Sequence, residues 1–161
     1  MDAKKPPLFE KTMTLLEAYT KMTAQSLFAP KTPFMIRLME NPASPLGYPG
    51  SIDLTKHDYM HCILNQPLTV KGEAYVLGFT MGADPRFRKW HAPLFKFIAQ
   101  YLYPRQYKFK EKHIEIFDHA LALGLQSNIK DFENLNWSDY MGVKLSDLRA
   151  LIGVEELIAQ A

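Results

Sequence analysis

Two imidazoles four residues apart, His57 and His61, and a carboxylate twelve residues further on, Glu73, can meet at one point only if the chain between them turns back. The stretch reads H-D-Y-M-H, then eleven residues, then Glu. On one continuous helix, at about 1.5 Å per residue, the step from His61 to Glu73 would cover roughly 18 Å. Gln66-Pro67 interrupts that path. Proline lacks the donor a helix needs and disfavours helix in the residue before it. The stretch therefore predicts a helix ending near Asn65, a reversal at Pro67, and a second helix whose first turn returns Glu73 to the histidine pair.

The flanking sequence continues the helical reading. Residues 1–7 read as a loose tail. Leu8, Met13, Leu15, Leu16, Tyr19 and Met22 fit an amphipathic helix over 8–26. Thr32-Pro33 opens a short helix to Met39. Asn41–Gly50 holds three prolines and two glycines in ten residues and is a loop. Asp53 or Thr55 caps the histidine helix, and Thr69 caps the next one, to about Met81. Asp84-Pro85 opens a long apolar helix through Trp90, Leu94, Phe95, Phe97, Ile98, Tyr101 and Leu102, stopped by Pro104. A helix over 108–125 follows, then an irregular stretch anchored by Trp137 and Tyr140, then a last helix from Leu145 ending at Gly153. No segment alternates in the manner of a strand. The expected fold is all-α, one domain over 1–161 with six to eight helices.

Charge and cysteine content narrow the function. A net charge of +2 in 161 residues gives no bulk attraction for nucleic acid, which is not an expected partner. The single cysteine, Cys62, cannot form an internal disulfide and fits a reducing compartment. The first residues, M-D-A-K-K-P-P, lack the apolar run of a secretory leader, and nothing approaches the roughly 18 to 20 apolar residues of a membrane span. The expectation is a soluble chain, or at most one that sits on a membrane surface.

His57 and His61, four apart on a helix, project from one face, the arrangement by which two imidazoles of one helix hold one ion. Asp58 lies about 100° around from His57 and reaches either a neighbouring coordination position or the groups that support one. Two imidazoles with one or two carboxylates suit zinc, iron, manganese or cobalt, with positions left open for water or substrate. Magnesium and calcium prefer more oxygen ligands. The zinc-protease pattern H-E-x-x-H is excluded, because Asp follows the first His and the spare Glu base is missing. The phosphohydrolase H-D pattern needs an upstream His, and none precedes His57. No Ser-His-Asp or Cys-His nucleophile arrangement and no phosphate-cradling glycine loop is present.

The H-D-x-x-H, eleven residues, Glu pattern, here His57, Asp58, His61 and Glu73, resembles the hallmark of the coenzyme Q (ubiquinone) biosynthesis protein 4 family, including the Gly72-Glu73 pair. The ending N-W-S-D-Y-M-G-V-K-L-S-D-L-R-A-L-I-G-V is similar to that family's ending, an aromatic stretch before a Leu-x-x-x-Arg-x-x-x-Gly helix. The resemblance covers roughly residues 50–155. Where family members carry a Gly-rich segment after the second His, this chain has Asn65-Gln66-Pro67-Leu68. The resemblance implies a helical protein that binds a divalent metal through the four motif residues and works in quinone biosynthesis. Its activity would be a decarboxylation at C1 of a prenylated head-group precursor, or else a non-catalytic scaffold that binds polyprenyl lipid. Other quinone-biosynthesis proteins, and a second copy of the chain, are the implied protein partners.

Three further features carry two readings each. The apolar helices around 90–103 and 114–125, with eight methionines in the chain, line an isoprenoid groove or are plain core. Arg86, Arg88, Lys89 and His91 meet an anionic head group at a helix start or form a solvated first turn. Tyr101–Lys112 interleaves aromatic and basic residues, as an interfacial membrane contact does, or is a loop between helices. His113, Asp118 and His119 lack the spacing for a shared site and are read as structural.

Overall fold

A computed structural model describes residues 8–26, 43 and 47–154 of the chain. Six α-helices stand among them: α1 (Leu15–Ser26), α2 (Leu54–Ile63), α3 (Val70–Ala83), α4 (His91–Phe97), α5 (Glu111–Leu125) and α6 (Leu145–Ile152). A π-helical turn, Ile98–Leu102, extends α4, and short 3-10 turns cover Arg105–Tyr107 and Trp137–Asp139. The only pairing of extended type among the described residues is an isolated bridge between Thr14 and Lys144. The all-α expectation holds. The helix expected over Thr32–Met39, the tail over 1–7 and half of the 41–50 loop lie outside the described residues.

Helix α3 is the axis of the fold. From Ala74 to Ala83 every residue is buried, as befits a helix that is apolar all round. One of its sides joins a core of Leu15, Met60, Ile63, Phe79, Leu145 and Ile152, which draws on α1, α2, α3 and α6. Another packs Leu77 and Met81 against Phe95, Ala99, Tyr103, Phe109 and Phe117 of α4, its π-turn and α5. Against α5 the contact is backbone to backbone. A methyl group on Gly78 would meet the Phe117 carbonyl, one on Gly82 the Leu121 carbonyl, and one on Gly124 the Phe79 carbonyl.

Several helix limits differ from expectation, for local capping as well as tertiary reasons. α1 starts at Leu15 rather than Leu8. Thr14 and Glu17 form a reciprocal capping box, the Thr14 N–H donating to Glu17 Oε2 at 2.8 Å and the Glu17 N–H to Thr14 Oγ1 at 3.2 Å. The N–H groups of Leu15 and Leu16 go to the carbonyls of Val143 and Met141. Asp84-Pro85 does not start a helix. The Asp84 carboxylate instead takes the N–H of Gly50 (2.7 Å), the N–H of Arg86 (2.7 Å) and the Arg86 guanidinium (2.6 Å), which fixes a turn, and α4 begins only at His91. Neither reading of Arg86, Arg88, Lys89 and His91 as a first helical turn holds, because no helix starts at Asp84-Pro85. Arg86 is committed to Asp84, and Arg88 Nη1 to the carbonyls of Pro85 and Phe87. α5 starts at Glu111 because the Phe109 N–H donates to the Ala99 carbonyl at 3.0 Å, pulling the preceding residues back along the π-turn.

Candidate metal centre

Helices α2 and α3 form the predicted hairpin. Asp53 caps α2 by accepting the Lys56 N–H at 3.0 Å. The helix ends at Leu64, and Asn65 adopts a left-handed φ of 54° that starts the reversal. Thr69 then caps α3 by accepting the Gly72 N–H at 3.3 Å. Gly72 lies so close to the Pro67 carbonyl that a methyl group could not fit between them. Only glycine lets the turn close this tightly, and Glu73 follows it in the first turn of α3, where a carboxylate is favoured by the helix dipole.

The hairpin brings three of the four predicted ligands together. Ligand atoms of His57, His61 and Glu73 all lie within 4.8 Å of one another and could hold a metal ion. Glu73 reaches His57 Nε2 with Oε2 at 2.8 Å and His61 Nε2 with Oε1 at 3.1 Å. The two Nε2 atoms stand 3.1 Å apart. Two nitrogens each about 2.0–2.1 Å from one ion would stand about 2.8–3.4 Å apart at octahedral to tetrahedral angles, so the observed pair fits a shared ion. The His57 and His61 side chains are 11% and 0% exposed while Glu73 is 33% exposed, so the centre opens to solvent on the Glu73 side.

Proton placement makes the same point. His61 Nδ1 faces the Gln66 carbonyl at 3.2 Å. A carbonyl only accepts, so Nδ1 carries a proton and the neutral ring turns its Nε2 lone pair into the cluster. There it meets Glu73 Oε1, another lone pair. A cation must lie between them, either a proton on His61 or a metal ion. Burial alone would push the His61 pKa down, but the Glu73 charge and hydrogen bond, the Gln66 carbonyl and Asp58 outweigh it and the net shift is upward. Burial likewise pushes Glu73 up, and the two imidazoles overcome it and hold that carboxyl well below the usual carboxylate range.

These two shifts set a pH dependence for metal-free protein. A raised imidazole pKa stabilises the fold fully below the ordinary 6.5 and loses that contribution as pH rises through the higher folded value. The lowered Glu73 carboxyl stabilises above the ordinary 4.5 and loses its contribution as pH falls through the folded value. Metal-free protein should be most stable between about pH 4.5 and 6.5 and less so at pH 8. Metal binding needs neutral imidazoles and strengthens over that rise. Melting curves with and without chelator across pH 5–8 should diverge progressively; a constant gap would contradict the shared-cation account.

Asp58 is the predicted residue that the structure does not bring into the trio. Its half-buried carboxylate, with no hydrogen bond among the described residues, lies near enough to be influenced by His57, His61 and Glu73. Burial raises its pKa, the two imidazoles oppose that rise and Glu73 adds to it. Cys62 points away, its thiol near Met22 Sδ at 3.9 Å and pushed up to about 12 by burial, so it offers no thiolate. His113, read as structural, accepts the Lys110 N–H at 3.0 Å, and Asp118 pairs with Lys96 at 2.9 Å.

The residue that sequence reasoning passed over is Arg149. From α6 its buried guanidinium donates Nε to the Ile63 carbonyl at 2.7 Å and Nη2 to the Cys62 carbonyl at 3.3 Å. These are the last carbonyls of the histidine helix, where a cation also complements the helix dipole. The Leu145-x-x-x-Arg149-x-x-x-Gly153 spacing was the available signal. Arg149→Met should cost about 2–3 kcal/mol by leaving both carbonyls buried without this donor, read as a lower urea midpoint at constant m value. A shift under about 0.5 kcal/mol would show that the guanidinium is dispensable to α2. Beyond the geometry, relationship gives no further guide: the chain matches no family model, no curated protein and no solved structure.

Proposed function

We propose that the chain is a divalent-metal protein of quinone biosynthesis, of the coenzyme Q biosynthesis protein 4 type, acting on a prenylated aromatic precursor. The observation that carries this reading is the convergence of His57, His61 and Glu73, three of the four residues of the pattern shared with that family, on one point. Those three residues hold the ion, and Asp58 supplies further negative charge beside it. Zinc, iron, manganese or cobalt suits the mixed nitrogen and oxygen donors. Bound there with open positions, such an ion would supply a Lewis acid, or with iron, manganese or cobalt a redox centre, for decarboxylation at C1.

The chain's own part is to orient and to shield. The Gln66 carbonyl locks the His61 ring. The buried imidazoles close the inner side of the site and leave the Glu73 side for the precursor. A prenylated precursor partitions into the bilayer, which places the reaction at the inner face of the membrane; no helix among the described residues is long and apolar enough to cross it.

The test is incubation of metal-loaded protein with a prenylated aromatic carboxylic acid and dioxygen, following loss of the carboxyl as CO2. Release that requires metal and disappears in Glu73→Ala is the expected result. Binding of the precursor without release would instead support the lipid-binding scaffold. Neither binding nor release would overturn the quinone reading while leaving the metal centre standing.

A further inference from the structure

The outer face of α4 and its π-turn is apolar and uncovered. Trp90, Leu94, Phe97, Tyr101 and Leu102 are each between 48% and 61% exposed. They follow one another at helical spacing, and the Phe97 and Tyr101 rings are in contact at 5.1 Å. The inner face of the same segment is already used, since Ala92, Phe95, Ala99 and Tyr103 are buried in the core. Five large apolar side chains in one row on the outside exceed the scattered exposure usual for a folded surface.

The charge around this row is distinctive. Residues 86–112 hold eight Lys and Arg against one carboxylate, Glu111; Arg86 pairs with Asp84 and Lys96 with Asp118, which leaves six bases in a chain whose total charge is +2. Arg88 and Lys89 precede Trp90 directly. At the other end the Phe109–Ala99 hydrogen bond folds Lys108 and Lys110 back beside the π-turn. Lys96 pairs with Asp118, but among the described residues no carboxylate pairs with Arg88, Lys89, Arg105, Lys108, Lys110 or Lys112.

We infer that this face is a docking surface for an anionic lipid bilayer, with Trp90, Leu94, Phe97, Tyr101 and Leu102 entering the interface and the bracketing bases meeting the head groups. Aromatic and leucine side chains on one face with Lys and Arg at the margins are what an interfacial segment requires. The same charge argues against a second copy as the occupant. A twofold contact across this face would press two basic segments together. The inference locates the membrane contact that the proposed function calls for, yet it is argued from the surface alone, and its failure would leave the metal centre standing.

Trp90 makes the test specific. It is exposed while Trp137, the other tryptophan, is buried. Adding vesicles of phosphatidylcholine with phosphatidylglycerol should shift Trp90 emission to the blue and sediment the protein; pure phosphatidylcholine should do much less, and salt should reverse the effect. Lys108→Glu with Lys110→Glu should weaken partitioning about tenfold or more. Leu94→Glu with Phe97→Glu should abolish it, with circular dichroism unchanged because both side chains face outward. Unchanged emission and no sedimentation with anionic vesicles would overturn the inference. So would Trp90 emission already blue without vesicles, or a concentration-dependent dimer that Leu94→Glu dissolves, since either would mean that protein covers the face.

Discussion

His61→Ala should lower metal affinity by well over about 100-fold, beyond what loss of a supporting partner costs. The imidazole is fully buried and its tautomer is set by the Gln66 carbonyl, so no neighbouring donor can replace it. The substitution also leaves a cavity and a carbonyl without its donor, which should cost metal-free protein about 2–3 kcal/mol. Glu73→Ala separates binding from stability. Glu73 is a third exposed, so its removal opens little cavity, yet it takes away the only carboxylate among the described residues that touches both Nε2 atoms. Metal affinity should fall as steeply as in His61→Ala while the melting temperature of metal-free protein at pH 8 changes much less. Titration against a competing chromophoric chelator reads the first quantity and chelator-treated melting curves the second. Full metal affinity in either variant would mean that the trio is not the site.

Gly124→Ala should be among the most damaging single-methyl changes at the described glycines. A Cβ there would overlap the Phe79 carbonyl and crowd the Ala83 nitrogen at 3.1 Å, so the obstacles are backbone atoms of α3 and cannot rotate aside. The helices would have to separate along their whole contact, the most extensive in the fold. A cost of about 3 kcal/mol, the upper end for overpacking, is expected. Because α3 also carries Glu73, metal affinity should fall with it. Gly142→Ala is the control, for nothing lies within 4 Å of a methyl group there and stability should stay within about 0.5 kcal/mol. Urea midpoints of the two variants decide it; equal stability for Gly124→Ala and the parent would contradict a backbone-to-backbone crossing.

Much of the centre was legible because local rules governed it. Asp53 and Thr69 cap the two helices, Pro67 divides them, and the reversal follows from residues within seventeen positions. Gly153 ends α6 in a left-handed conformation, as a glycine there suggests. What escaped was set by distant partners. Leu8–Thr14 looks helical by period, but its neighbours spend their N–H groups on Val143 and Met141. Asp84 looks like a cap, but Gly50 and Arg86 claim its carboxylate. The apolar residues of 90–102 read as one helix, and their period could not tell the buried row from the exposed one. Arg149 stands within a terminal Leu-x-x-x-Arg-x-x-x-Gly pattern, but nothing in its own segment points to the carbonyls of Cys62 and Ile63.

The most direct test is the metal content of the full chain purified without added metal. The account predicts about one equivalent of zinc, iron, manganese or cobalt per chain, either as isolated or after reconstitution, removed by chelator with a fall in melting temperature that is larger at pH 8 than at pH 6. No metal under any of these conditions would contradict it, and the three convergent side chains would then be a proton-sharing ion-pair cluster within a helical domain.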